Sequence, residues 1–137
     1  MTETPPATRS LLYSQTSFDE RGNFHYQGDL HRPAEQLSSI ASRIQAHLAA
    51  HFASVAFAIR TEKFAGGRKI IAEILDAPQD LTERDGQEAF IVAVRDQMER
   101  FSFTNSNLYQ DMHNCAFFCD VRIGQAYWSA LAARRGM

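Results

Sequence analysis

The stretch that decides the fold runs from residue 55 to residue 75 and reads VAFAIRTEKFAGGRKIIAEIL. Residues 55–60 alternate apolar side chains with small or charged ones, which is the period of a half-buried strand. Residues 69–75 predict a partner strand of similar composition. Gly66 and Gly67 lie between the two, and the chain can reverse there because glycine tolerates positive φ. The stretch therefore predicts an antiparallel β-hairpin.

Helices are predicted on both sides of this hairpin. Pro33 suits the first turn of a helix, and apolar residues then recur at steps of three and four over residues 37–52. A second amphipathic pattern covers residues 90–101. Thr82 and Asp85 precede it and resemble a capping box with a shorter acid. Two amphipathic helices therefore flank the central hairpin.

A further β-hairpin is predicted ahead of the first helix. Residues 11–13 and 24–26 are short apolar-aromatic segments, and they flank the run Asp19-Glu20-Arg21-Gly22-Asn23. Gly22 and Asn23 tolerate positive φ, so the chain can turn between the two segments. The ordered part of the chain is expected to begin at about Leu11.

The remaining pattern completes an α+β domain. Residues 117–123 alternate as a strand, and a short helix is predicted around Trp128. Residues 1–9, rich in Thr and Pro, are predicted to form a disordered tail. Residues 10–137 are predicted to form a single domain, with a mostly antiparallel sheet built from hairpins and at least two amphipathic helices packed on one face. The predicted core comprises Leu37, Ile40, Ile44, Leu48, Val55, Phe57, Ile59, Ile70, Ile74, Phe90, Val94, Met98 and Val121.

Charge, cysteine content and hydropathy limit the kind of partner and the cellular compartment. The 137 residues carry 14 basic and 16 acidic side chains, a formal charge of −2, which argues against binding duplex DNA through the overall field. Cys115 and Cys119 are the only cysteines, so a secreted disulfide framework is not indicated. The start of the chain lacks the pattern of a signal peptide, and no apolar run reaches the ~20 residues that span a bilayer. A cytoplasmic protein without a membrane partner is expected.

Several of these segments together resemble a known family. They are an amphipathic helix, the strand at residues 55–60, the turn at residues 64–67, an Ile-bearing strand, and Asp76-Ala77-Pro78 before a second helix. Over roughly residues 37–111, this order resembles the large polyvalent protein-associated domains of phages and mobile elements, specifically the twenty-ninth type. The resemblance implies a mobile-element setting and assigns no catalytic residue. By analogy, it implies a small accessory protein that blocks a host defence system.

Two groups of residues invite a metal interpretation. His47 and His51 lie one helical turn apart, a spacing that zinc sites use, but the glutamate of a metalloprotease motif is missing between them. His113, Cys115 and Cys119 could supply three zinc ligands, although their spacing is not that of a zinc knuckle. The strand pattern places Cys119 on the inward face, which favours core packing. No metal or cofactor is therefore predicted.

The central hairpin supplies the candidate binding residues. Arg60, Lys63, Arg68 and Lys69 surround the aromatic Phe64, against a negative charge on the whole chain. Such a tip could contact phosphates or an acidic protein surface. The glycine pair matches neither type of phosphate-binding loop, because it lies between two strands. The alternative to a binding site is an ordinary hairpin turn, in which these charged side chains are only solvated.

These observations favour a non-enzymatic binding module. Neither a nucleophile motif nor a defined pair of carboxylates can be identified. We expect a protein that occludes a host protein or complex, in the manner of an anti-CRISPR inhibitor. A nucleic-acid-binding protein that uses the hairpin tip is the alternative, followed by a metal-dependent enzyme. Homodimerisation through an exposed strand edge is also compatible with the sequence.

Overall fold

The computed structural model describes residues 11–110 and 112–136, with only the backbone described at positions 112 and 113. In chain order, the elements are a 3₁₀ helix (Tyr13–Gln15), β1 (Asn23–Gln27), α1 (Leu37–His51), β2 (Ala56–Phe64), β3 (Gly67–Asp76), α2 (Arg84–Glu99), β4 (Phe103–Asn107), β5 (Met112–Cys115), β6 (Phe118–Ile123) and α3 (Gln125–Arg134). The predicted α+β class is confirmed. The predicted tail lies outside the described residues. None of the described helices is long and apolar enough to cross a membrane.

The strands form two three-stranded sheets, ordered β2-β3-β6 and β1-β4-β5. The predicted central hairpin is confirmed, since β2 and β3 pair antiparallel from Ala56 opposite Asp76 to Phe64 opposite Gly67. The reversal falls at Ala65 and Gly66, and Gly66 has φ +91°. Strand β6 joins the other side of β3 in parallel, and the second sheet is wholly antiparallel.

A hydrophobic cluster joins the β2-β3-β6 sheet to helices α1, α2 and α3. The central strand β3 is buried most deeply, because it has a neighbour on each side. The predicted core residues that are buried are Leu37, Ile40, Ile44, Leu48, Val55, Ile70, Ile74, Phe90, Val94 and Met98. Phe57, Ile59 and Val121 are a correction: they pack against the cluster but are only partly buried, because β2 and β6 are the outer strands of this sheet.

The predicted hairpin over residues 11–26 is wrong. Residues 13–15 form the 3₁₀ helix, and β1 pairs with β4 instead, with Phe24 opposite Ser106. The Tyr13 ring contacts the rings of Phe24 and Tyr26 at centroid distances of 5.3 and 5.4 Å. The two aromatic segments therefore meet through ring packing, without strand pairing.

The predicted capping box before α2 is also wrong. The helix begins at Arg84 after Glu83, with no side-chain cap hydrogen bond. The Thr82 hydroxyl and backbone amide both donate to the Asp80 carboxylate. Thr82 therefore belongs to a turn that Asp80 organises, because aspartate readily accepts from the backbone two residues ahead.

Candidate functional site

The turn between β2 and β3 forms one wall of an open groove of about 460 Å³. We call it the tip groove. The hairpin contributes one side, and the chain from β5 into β6 contributes the other. The residues that line it are Lys63, Phe64, Gly66, Gly67, Arg68, Asn114, Cys115, Ala116 and Phe118. Three of the five predicted binding residues, Lys63, Phe64 and Arg68, therefore lie in one groove.

Two aromatic rings stand side by side at this groove. Phe64 is 43% exposed and Phe118 is 38% exposed, and their ring centroids are 5.8 Å apart. Gly67 lies beneath both rings. A Cβ atom at Gly67 would come within 2.9 Å of the Phe118 ring and 3.0 Å of the Phe64 ring. The glycine therefore lets the two rings close over the end of the hairpin.

Two of the predicted cations are already engaged within the chain. The Arg60 guanidinium lies 3.7 Å from a carboxylate oxygen of Glu73. The Lys69 ammonium lies 3.8 Å from Glu62 and 3.9 Å from Asp120. Neither cation lines the tip groove. Their charges are compensated by these acidic residues. Arg60 and Lys69 are therefore less available to bind an external phosphate than the sequence indicates.

The other two cations flank the aromatic pair. Lys63 is exposed and makes no ion pair with any residue that the structure describes. The Arg68 Nε atom donates to the backbone carbonyl of Ala116 at 2.8 Å, which anchors the hairpin to the chain leading into β6. Within the described residues, the Arg68 side chain has no carboxylate partner. The tip groove therefore combines an exposed apolar centre with a small positive rim.

The thiols near the groove are poorly suited to catalysis or metal binding. Burial, followed by the charge of Glu99, raises the pKa of Cys115 to about 11. Burial also raises the pKa of Cys119 well above its usual value. Both thiols are protonated at neutral pH, whereas the thiolate is the nucleophile and the metal ligand. The third candidate ligand, His113, has a side chain outside the described part of the structure.

The histidine pair on α1 is engaged in packing. The rings of His47 and His51 stack at a centroid distance of 5.7 Å, and His47 Nε2 lies 2.8 Å from the side-chain oxygen of Gln97. Burial lowers the pKa of His51. Over the described residues, no three histidine, cysteine or acidic side chains are grouped to hold a metal ion.

No protein-family model matches the chain, and neither a curated protein nor a solved structure matches it. The resemblance to the mobile-element modules therefore stays a prediction.

Sequence reasoning missed the second wall of the groove. Phe118 lies opposite Lys69 because β6 pairs in parallel with β3. The alternation of residues 117–123 puts Phe118 on the face opposite Cys119 and Val121. It carried no signal that this side would lie beside Phe64, since the pairing joins residues about 50 positions apart.

Proposed function

We propose that this chain is a non-enzymatic protein-binding module whose contact surface is the tip groove. The observation that carries the proposal is the exposed pair Phe64 and Phe118, held side by side over Gly67. Rigid aromatic side chains bury a large area at little entropic cost, and they dominate many protein interfaces. With Lys63 and Arg68 at the rim, the matching partner presents an apolar pocket edged by acidic residues.

The distribution of charge supports a protein partner over a nucleic acid. Arg60 and Lys69 are paired with acidic residues, which leaves Lys63 and Arg68 at the groove. Two cations provide few phosphate contacts, and the whole chain carries a formal charge of −2. An affinity built on phosphates would therefore be weak at physiological salt.

The identity of the partner follows only from the resemblance. In a mobile-element setting, the partner would be a host protein, and occluding it would inhibit a defence system. We therefore propose counter-defence as the biological role. Its test is whether expressing the chain in the host restores infection or plasmid transfer against an active defence system, and whether Phe64→Ala abolishes that restoration.

The binding experiment compares substitutions at the groove. The partner would be captured from host lysate with the immobilised chain, purified, and its affinity for each variant measured. We expect Phe64→Ala and Phe118→Ala each to weaken binding more than tenfold, because buried anchors contribute ~2 kcal/mol or more. Lys63→Ala should cost less than about threefold, mainly in the association rate.

Phe18→Ala is the matched control. Phe18 is another exposed phenylalanine, 52% accessible, and it lies on the loop before β1 outside the tip groove. Its removal should leave the affinity unchanged, and binding by the unsubstituted chain should survive ~0.3 M salt, where exposed charges are screened within several ångströms. If affinity instead collapses with salt and tracks the basic residues removed, the nucleic-acid alternative is correct.

A further inference from the structure

A second cavity, smaller and more enclosed than the tip groove, lies between the 3₁₀ helix, α2 and strands β4 to β6. Its volume is about 270 Å³. Tyr13, Arg95, Glu99, Thr104 and Phe117 line it, together with both cysteines and Phe118. This volume falls below the ~300–1,000 Å³ of pockets for drug-sized ligands. It suits a small molecule or a single side chain.

Glu99 is the feature of this cavity that needs an explanation. The residue is 3% exposed, yet its Oε2 atom has no hydrogen-bond partner among the described residues. The Cys119 thiol lines the same cavity, but a thiol is a weak donor and a protonated thiol carries no charge. A buried carboxylate without a full set of partners is costly, and such groups are usually paired in native proteins. Glu99 therefore has unused capacity to accept a hydrogen bond and to compensate a positive charge.

Arg95 compensates the charge of Glu99 only in part. Its Nε atom lies 3.9 Å from Glu99 Oε1, which is longer than a hydrogen bond. Its side chain is 47% exposed, and its guanidinium stacks over the Tyr13 ring at 5.0 Å. Arg95 therefore lies at the mouth of the cavity. The thiols of Cys115 and Cys119 are neutral, so among the described lining residues no other group supplies positive charge.

We propose that this cavity binds a primary ammonium group on an unbranched alkyl chain, with the Glu99 carboxylate as its counter-ion. An ammonium has three donors, so it can satisfy Oε2 and still reach the Thr104 hydroxyl. The alkyl chain would pack against Phe117 and the ring of Tyr13, which are apolar walls of the cavity. A carboxylate or phosphate ligand does not fit, because Glu99 would repel it.

Two sources could supply this group, a free alkylamine or the lysine side chain of another protein. The cavity adjoins the tip groove, since Cys115 and Phe118 line both. A lysine near a bound partner could therefore reach it. The proposal stands on the cavity alone and does not depend on the protein contact at the tip groove.

The test is an NMR titration of the full chain with three probes of matched length: n-butylamine, n-butanol and butyrate. We expect saturable shifts with butylamine at residues around the cavity, and at least tenfold weaker binding of butanol and butyrate. A peptide with one internal lysine distinguishes the sources. If the peptide binds at least as tightly as butylamine, the natural ligand is a lysine side chain, and if only butylamine binds, it is a free amine.

Glu99→Gln isolates the role of the carboxylate. This variant keeps the shape of the side chain, and its spectrum reports whether the fold is retained. We expect it to lose at least tenfold in butylamine affinity. Glu88→Gln, on the exposed face of the same helix, is the matched control and should bind as the unsubstituted chain does. The proposal is overturned if butanol binds as well as butylamine, if folded Glu99→Gln keeps full affinity, or if no saturation occurs by ~50 mM, well above the millimolar range of weak ligands.

Discussion

Phe57 and Ile74 face each other across the β2–β3 hairpin, and they differ in how much water they contact. Ile74 is fully buried in the central strand, whereas Phe57 lies on an outer strand and is partly buried beside Phe52. The cost of truncating a side chain grows with the apolar area that it buries and with the volume of the cavity left behind. A partly exposed site can also admit water, which reduces the cavity contribution.

We therefore expect Phe57→Ala to lower the free energy of unfolding by about 1.5–2.5 kcal/mol, below the 3–5 kcal/mol typical of a fully buried phenylalanine. Ile74→Ala should cost more, about 3–5 kcal/mol, despite its smaller side chain. Urea denaturation of both variants measures the two values. Equal losses at the two positions would contradict the difference in burial.

At the scale of elements, the Asp96 carboxylate on α2 binds the 3₁₀ helix through two hydrogen bonds. Asp96 is 6% exposed, and it accepts hydrogen bonds from the Ser14 backbone amide at 2.9 Å and from the Ser14 hydroxyl at 2.6 Å. Hydrogen bonds to charged groups contribute ~1.5–3 kcal/mol each. This contact places Tyr13 over the cavity that contains Glu99.

We expect Asp96→Ala to destabilise the protein by about 1.5–3 kcal/mol, because it leaves the Ser14 amide and hydroxyl without their acceptor. Amide hydrogen exchange at Ser14 should accelerate by more than tenfold, while exchange in β3 changes only with global stability. Glu88→Gln is the control, because its exposed pair with Arg84 is worth less than ~0.5 kcal/mol. Unchanged protection at Ser14 would show that the aromatic contacts of Tyr13 suffice to hold the helix.

The elements that the sequence predicted well are those whose burial follows one simple period. Helix α1 and the β2–β3 hairpin show such periods, and both were found. The start of α1 is a correction, because the helix begins at Leu37 and Pro33 lies in the turn before it. Strand β4 reads FTNSN, and its buried members include Thr104, Ser106 and Asn107. Buried polar residues give no apolar alternation in the sequence. The second sheet therefore could not be predicted from hydrophobic pattern alone.

At the scale of the whole molecule, the candidate sites depend on contacts between distant segments. The sequence identified Phe64 and its neighbouring cations from local clustering. It could not place Phe118 beside them, because the parallel pairing of β3 with β6 connects segments on either side of α2. Glu99 was overlooked for the same reason. Its burial requires the 3₁₀ helix and β6 to close around the end of α2.

Asp29, Asp80 and Glu99 have shifted pKa values, and the shifts have opposite effects on stability as pH changes. Hydrogen bonds from Arg100 lower the pKa of Asp29, and hydrogen bonds from Thr82 lower the pKa of Asp80, below their usual 3.8. Their contributions are present above pH 3.8 and are lost as the pH falls through their folded pKa values. Burial raises the pKa of Glu99 above its usual 4.5. Its contribution is largest below pH 4.5 and is lost as the pH rises through its folded pKa.

Glu99→Gln should therefore remove a decline in stability that sets in above pH 4.5. We expect the free energy of unfolding of the variant, minus that of the unsubstituted chain, to increase from pH 4.5 and to level off above the folded pKa of Glu99. The slope can reach ~1.4 kcal/mol for each pH unit, because the native state then binds one more proton than the unfolded state. Urea denaturation at pH 4.5, 5.5, 6.5 and 7.5 measures the difference.

The groups around Glu99 do not produce this slope by themselves. Tyr13, Arg95, Asp96, Cys115 and Cys119 surround it and are present in both proteins, so their contributions to stability largely cancel in the difference. Any cost of burying the new amide is independent of pH. It changes the difference in free energy of unfolding by the same amount at every pH and leaves its slope unchanged. Adding butylamine should flatten the slope for the unsubstituted chain, because an ammonium beside Glu99 stabilises its ionised form. A difference that does not vary between pH 4.5 and 7.5 would mean that Glu99 titrates as an ordinary carboxyl group, despite its burial.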